Sequence, residues 1–475
     1  MIEVPPPPRI IQGGMGVGVS GWRLARAVSL RGELGVVSGT GIDTVLVRRL
    51  QDGDPGGHVR RAMQKFPLPQ AAEDALRLYF RSDGRSASAP YRIPPKYRQV
   101  VSKARQQLAM LAAFVEVYLA KEGHGSLVGM NLLTKVQLPN LALLYGAMLA
   151  GVDYVLMGAG LPRGIPGALD LLAEHRSASL RLEMQGLPAG VDQQLTLDPR
   201  SHWGGVPPEI RRPQFLAIVA SNSLATVLAR KAGSRVDGFV IEGPTGGGHN
   251  APPRGEPRSN ERGEPSYGLR DVVDLERIRE IGVPFWIAGG AGWPHRLRQA
   301  REVGAAGIQV GTLFAYCDES GLAEGLKRSV LAHAARGEVD VLTDPRASPT
   351  GYPFKIVRWR ADPTIGVTRE RVCDVGGLRV AYLTSQGKIG YRCPAEPVDE
   401  FVRKGGNPED TEGRACLCNA LMANIGLGQV RAGGWAEPPL VTSGMDLESI
   451  SVFLAGRTRY SAADVIDYLL STSTR

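Results

Sequence analysis

The 475-residue chain is far longer than one small core needs, and 43% hydrophobic with 22% charged residues is the composition of a folded globular protein. Its net charge of +9 suits anionic ligands, but the basic residues are mostly Arg mixed with acids, with no Lys/Arg block and no interleaved aromatics, which argues against nucleic acid as a partner. Five cysteines do not make a disulfide framework, MIEVPPPPRI is not a signal peptide, and the most apolar stretch (141–160) is broken by Asp153 and glycines, so no membrane span and a cytoplasmic location are expected.

Short apolar runs recur in chain order at RIIQ (9–12), LGVV (34–37), LVGMN (127–131), YVLM (154–157), FLAIVA (215–220), GFVI (238–241), PFWIA (284–288) and GIQV (307–310). Continuous rather than alternating apolar runs indicate strands buried on both faces of a parallel sheet. Helical patterns separate most of them, at 21–31, 138–150, 221–232 and 295–303. The β-α rhythm and the count of eight predict a closed (β/α)8 barrel of the TIM type rather than an open sheet.

Two stretches exceed a simple connection. Residues 50–126 hold a Pro/Ser-rich segment (81–98) and a helical pattern (99–121), and residues 176–212 hold SLRLEM and QLTLDP, which read as an added hairpin. After about residue 335 the rhythm stops. The chain therefore divides into a barrel over 1–334, with insertions at about 50–126 and 176–212, and a second, partly helical region over 335–475.

The motifs cluster after the strands. IAGGAG (287–292) and IQVGT (308–312) follow strands seven and eight, where glycines expose backbone N–H groups to a phosphate. A glycine turn after one strand is an ordinary connection. Two at these consecutive strands point to a cradle made by Gly289, Gly290, Gly311 and Thr312. VIEGPTGGGHN (240–250) follows strand six and sets His249, a base or acid near neutral pH, in a glycine-rich loop at the carboxyl face. A turn-capping loop histidine is the competing role. QGGMGVGVS (12–20) follows strand one, where Gly14, Met15 and Gly16 would let the chain pass beneath a planar ring; an ordinary βα turn explains it equally well. No G-x-G-x-x-G follows the first strand, so a dinucleotide-binding Rossmann unit is not expected. Cys373, Cys393, Cys416 and Cys418 would suit zinc or an iron–sulfur cluster by number, but close C-x-x-C pairs are missing. Buried free thiols are expected there, and no metal is assigned.

RIIQGGMGVGVSGWRLARAVSLRGELGVVSGTG (9–41) resembles the amino-terminal segment of the nitronate monooxygenase family, formerly 2-nitropropane dioxygenases. GMNLL, VIEGPTGGGHN, PFWIAGGAG and AAGIQVGTLF continue the likeness in order over about the first 320 residues, and TDPRASPTGYPFKIV (343–357) looks like the linker into the family's smaller substrate-covering domain. The resemblance implies non-covalent FMN. The ring would lie against Gly14, Met15, Asn131, Met157 and Gly158, with Gly247 and Gly248 on its other side, and the phosphate on Gly289, Gly290, Gly311 and Thr312. His249 matches the family histidine that meets substrate. Gly14 stands where a proline is common, and Asn250 with a Pro/Arg-rich loop follows His249. These departures, with the long insertions and tail, resemble the free-standing flavin enoyl reductases of polyketide and polyunsaturated fatty acid synthesis.

The leading expectation is an FMN-dependent oxidation of alkyl nitronates with O2, with His249 holding the anion or deprotonating the nitroalkane. The second is NAD(P)H-dependent enoyl-thioester reduction, for which an acidic acyl carrier protein would dock on the basic surface. The third is a non-catalytic flavin-binding scaffold.

Overall fold

The computed structural model describes residues 6–471 except 232–234, 361, 363, 365, 366, 368 and 432. The first five residues of the N-terminal stretch, and the end at 232 of one expected helix, lie outside the described residues.

The eight expected strands all form: β1 (Ile10–Gln12), β2 (Gly35–Ser38), β3 (Val128–Leu133), β4 (Tyr154–Gly158), β5 (Gln214–Val219), β6 (Gly238–Glu242), β7 (Phe285–Ala288) and β8 (Gly307–Val310). They make one sheet in the order β1-β8-β7-β6-β5-β4-β3-β2, and every pair is parallel. The seam closes beside Leu34. Its N–H donates to the Ile10 carbonyl at 3.1 Å, and its carbonyl accepts from the Gln12 N–H at 2.9 Å. The architecture is a (β/α)8 barrel.

The pleat explains why these runs are apolar throughout. Ile11, Val36, Leu156, Leu216, Val240 and Trp286 point inward and fill the barrel. Their neighbours Val37, Val155, Met157, Phe215, Phe239 and Phe285 point outward into the larger core under the helices. Each strand is thus buried on both faces, which removes the alternation a half-exposed strand would show.

The insertions are built onto this frame. Within 50–126 the helix Lys103–Lys121 begins at Ser102, whose hydroxyl accepts the Arg105 N–H at 3.2 Å. It lies across the helix Asn140–Leu149 so closely that a Cβ on Gly146 would fall 2.1 Å from the Met110 carbonyl oxygen. Within 176–212, Ala178–Arg181 pairs antiparallel with Gln194–Leu197, as the alternating stretches predict.

The stretch after 335 begins with a hairpin, β9 (Val339–Asp344) and β10 (Phe354–Trp359). A second follows, β11 (Val380–Leu383) and β12 (Ile389–Arg392), and β11 also pairs with Met184–Gln185 of the second insertion. The helix Leu417–Asn424 then covers the carboxyl ends of the barrel strands, and Ala462–Leu470 packs back on the helices Trp22–Ser29 and Pro294–Glu302. Leu447, Phe453 and Leu469 belong to the same continuous core as the barrel's outer faces. Among the described residues no helix is long and apolar enough to cross a membrane.

Candidate functional site

A cavity of about 290 Å3 opens at the carboxyl ends of the strands, near the lower end of the usual size for a small-molecule site. Gly14, Met15, Asn131, Gly158, Gly247, Gly248, His249, Gly289, Gly290, Gly311 and Thr312 all line it. Met157 does not. Its side chain is fully buried in the outer core, because Gly158 faces the cavity and the adjacent position on the pleat must face away.

The glycines are set by geometry. Gly14 lies so close to Asn131 that a Cβ there would fall 2.1 Å from the asparagine's own Cβ, so only glycine lets the first loop run flat against β3. Gly289 and Gly290 have φ of +86° and +64°, the left-handed region that favours glycine, and their backbone turns bare toward the cavity. Gly311 and Thr312 open the turn after β8.

His249 is fixed by the hairpin after the barrel. Gly248 accepts the Lys355 N–H at 2.9 Å, and Asn250 donates to the Pro353 carbonyl at 2.9 Å. The imidazole stands edge-on to Phe354 at 4.9 Å, and its Nε2 lies 2.6 Å from Ser348 Oγ. Burial lowers its pKa to about 4, so the ring is neutral at pH 7.

Several wall residues escape the motif reading. Glu242, at the end of β6, has its carboxyl in the cavity, and burial raises its pKa to about 7. Gln309 of β8 lines the cavity with an Oε1 that has no hydrogen-bond partner among the described residues. Both stand two residues beyond an inward-facing barrel position, a signal present in the strand parity. Asp446 accepts the Gly292 N–H at 3.1 Å, and Thr312 Oγ1 accepts the Gly444 N–H at 3.1 Å. These tail residues sit beside the glycine turns with no local pattern to announce them.

The donor set suits a ligand with a phosphate and a polar-edged ring. Gly289, Gly290, Gly311 and Thr312 offer a phosphate bare backbone and a hydroxyl, while Asn131 and the unpartnered Gln309 Oε1 suit the polar edge and hydroxyls of the rest. The cavity is also lined by the apolar side chains of Ile93, Val136, Leu138, Leu378, Leu421 and Met422.

Cys373, Cys393, Cys416 and Cys418, though far apart in sequence, line one small void of about 10 Å3. All are free thiols. Among the described residues no group of three or more His, Cys, Asp or Glu side chains is arranged to hold a metal ion as it stands.

The family model for nitronate monooxygenase matches residues 208–344. No curated protein matches the chain. The solved structures similar to it include these three. FabK from Thermotoga maritima has 16% identity, covering 97% of this chain and 91% of that one, with a TM-score of 0.46. A nitroalkane oxidase from Streptomyces ansochromogenes has 16% identity, covering 98% and 94%, with a TM-score of 0.45. The enoyl reductase domain of MlnA from Bacillus amyloliquefaciens has 11% identity, covering 97% and 93%, with a TM-score of 0.46.

Proposed function

We propose that the chain is an oxidoreductase of the nitronate monooxygenase family, whose model matches residues 208–344, that it is FMN-dependent, and that it oxidises alkyl nitronates with O2. The observation that carries this reading is the meeting of His249 with the glycine turns of β1, β7 and β8 around one cavity. In this reading residues 1–334 form the flavin barrel, residues 335–475 cover the substrate, and the protein works in the cytoplasm.

Gly289, Gly290, Gly311 and Thr312 would hold the FMN phosphate, and Gly14, Met15 and Asn131 would flank its ring. When bound, FMN supplies the two-electron redox chemistry. His249 provides a neutral imidazole at neutral pH. It can donate a hydrogen bond to an anionic nitronate, or take the α-carbon proton of the neutral nitroalkane. That transfer leaves an imidazolium beside the new anion, so the charge created on the buried ring is compensated where it forms. Phe354 and Ser348 fix the ring plane for both tasks.

The apolar side chains on the cavity wall favour a second reading, enoyl-thioester reduction with NAD(P)H as reductant. A chain of methylenes fits such walls better than a small nitronate requires, and a carrier protein would be the partner. Anaerobic mixing of the purified flavoprotein with substrates tests both. Bleaching by an alkyl nitronate, reversed by O2, supports the first reading. Bleaching by NAD(P)H with turnover of an enoyl thioester replaces it with the second. Bleaching by neither leaves a non-catalytic scaffold.

A further inference from the structure

The tail contributes four cysteines from three separate segments: the loop before β11, the end of β12, and the start of the helix Leu417–Asn424. All four line the same void, whose volume of about 10 Å3 is room for one small sphere. We propose that Cys373, Cys393, Cys416 and Cys418 form a tetrathiolate site for one zinc ion, which fastens the cover of the cavity to the segment that orients His249.

Three features beyond the convergence support this. Backbone N–H groups already face the sulfurs: those of Gly377 and Leu378 face Cys418, that of Ala395 faces Cys393, and that of Asn419 faces Cys416. Such groups stabilise thiolate, the form that binds metal. Second, Arg379 lines the void and Lys96 acts on Cys373 as a further positive charge, opposing the net charge of −2 that four thiolates leave around Zn2+. The nearby Glu396 is taken up by Lys404 at 2.6 Å. Third, Gly376, Leu378, Leu417 and Cys418 line both the void and the larger cavity, and Pro349 at the void's edge follows Ser348, the contact of His249.

The lining holds four thiols, the donor set of a single tetrahedral zinc ion. As they stand, the four sulfurs are not arranged to hold an ion. Burial raises the thiol pKa values, that of Cys418 to about 11, and neutral thiols have no charge to gather them. Ligation would draw the side chains in, each thiol releasing its proton to solvent as its sulfur bonds to zinc.

Zinc and iron would be measured by mass spectrometry in the untagged full-length protein after chelator treatment and gel filtration. We expect about one zinc per chain, unchanged in Cys317→Ser and lost in the double variant Cys393→Ser/Cys416→Ser. Zinc-free wild type that takes up none after reduction, zinc retained by the double variant, or iron with inorganic sulfide would each overturn the proposal. Should the double variant not fold, cobalt reconstitution of the wild type decides: tetrahedral thiolate bands support the site, and their absence overturns it. Flavin is quantified in the same samples. Zinc is expected in flavin-free fractions as well, so loss of the FMN reading and loss of this one are separable.

Discussion

At the residue scale, two titratable groups in the cavity are displaced in ways that can be measured. His249→Ala should keep its flavin absorbance and lose about 10²–10⁴-fold in turnover, read by steady-state kinetics beside a flavin titration; full activity would remove the imidazole from the mechanism. Glu242 is the opposite kind of group, an acid whose folded pKa of about 7 lies above its ordinary value of 4.5. Below pH 4.5 both folded and unfolded chains carry the proton, and the group costs nothing. Between pH 4.5 and 7 the unfolded chain ionises first, so stability falls as pH rises, and above 7 the loss is constant. Glu242→Gln in the flavin-free protein should therefore gain on wild type by roughly 1–3 kcal/mol between pH 4.5 and pH 8. Urea melts at the two pH values give the difference, and a constant offset would contradict it. Strand parity makes Glu242 and Gln309 legible as inward-facing polar residues; Met157 shows the same parity overriding a motif likeness.

At the element scale, the strands were legible because a parallel barrel buries both faces of each one, so an unbroken apolar run has one natural location. The hairpin at Ala178–Arg181 and Gln194–Leu197 was legible for the converse reason: one face meets solvent and the residues alternate. What the pattern did not show was Met184–Gln185 pairing with β11, since two residues carry no period and the partner lies about two hundred residues away. Helix contacts were similarly hidden. Gly146 reads as a poor helix residue, yet it is where two helices touch through their backbones. Gly146→Ala should cost about 1–3 kcal/mol through overpacking despite the better helix propensity of Ala, a sign that denaturant melts would settle.

At the scale of the whole molecule, barrel and tail share one core. Leu447, Phe453 and Leu469 pack with the outer faces of the strands, and the Tyr460 hydroxyl donates to the Leu313 carbonyl at 2.7 Å. A chain ending at residue 334 would expose the apolar faces of the helices Trp22–Ser29 and Pro294–Glu302 and remove Gly444 from Thr312. We expect it to aggregate and to bind no flavin. Size-exclusion chromatography and a flavin-binding assay would show this, and a soluble, yellow barrel would refute it. The composition shift near 335 is visible in the sequence, but that the later residues complete both core and cavity is not.

By itself the sequence determined the strands, the barrel and the glycine turns that end its strands, because these follow from short-range rules: an apolar run, a positive φ, a residue with no side chain. The tertiary structure alone decided that β10 and Ser348 orient His249, that Asp446 caps a glycine turn, that apolar side chains from distant segments line the cavity, and that four scattered cysteines line one void. Each depends on segments distant in the chain meeting through packing, and packing leaves no periodic mark on the sequence.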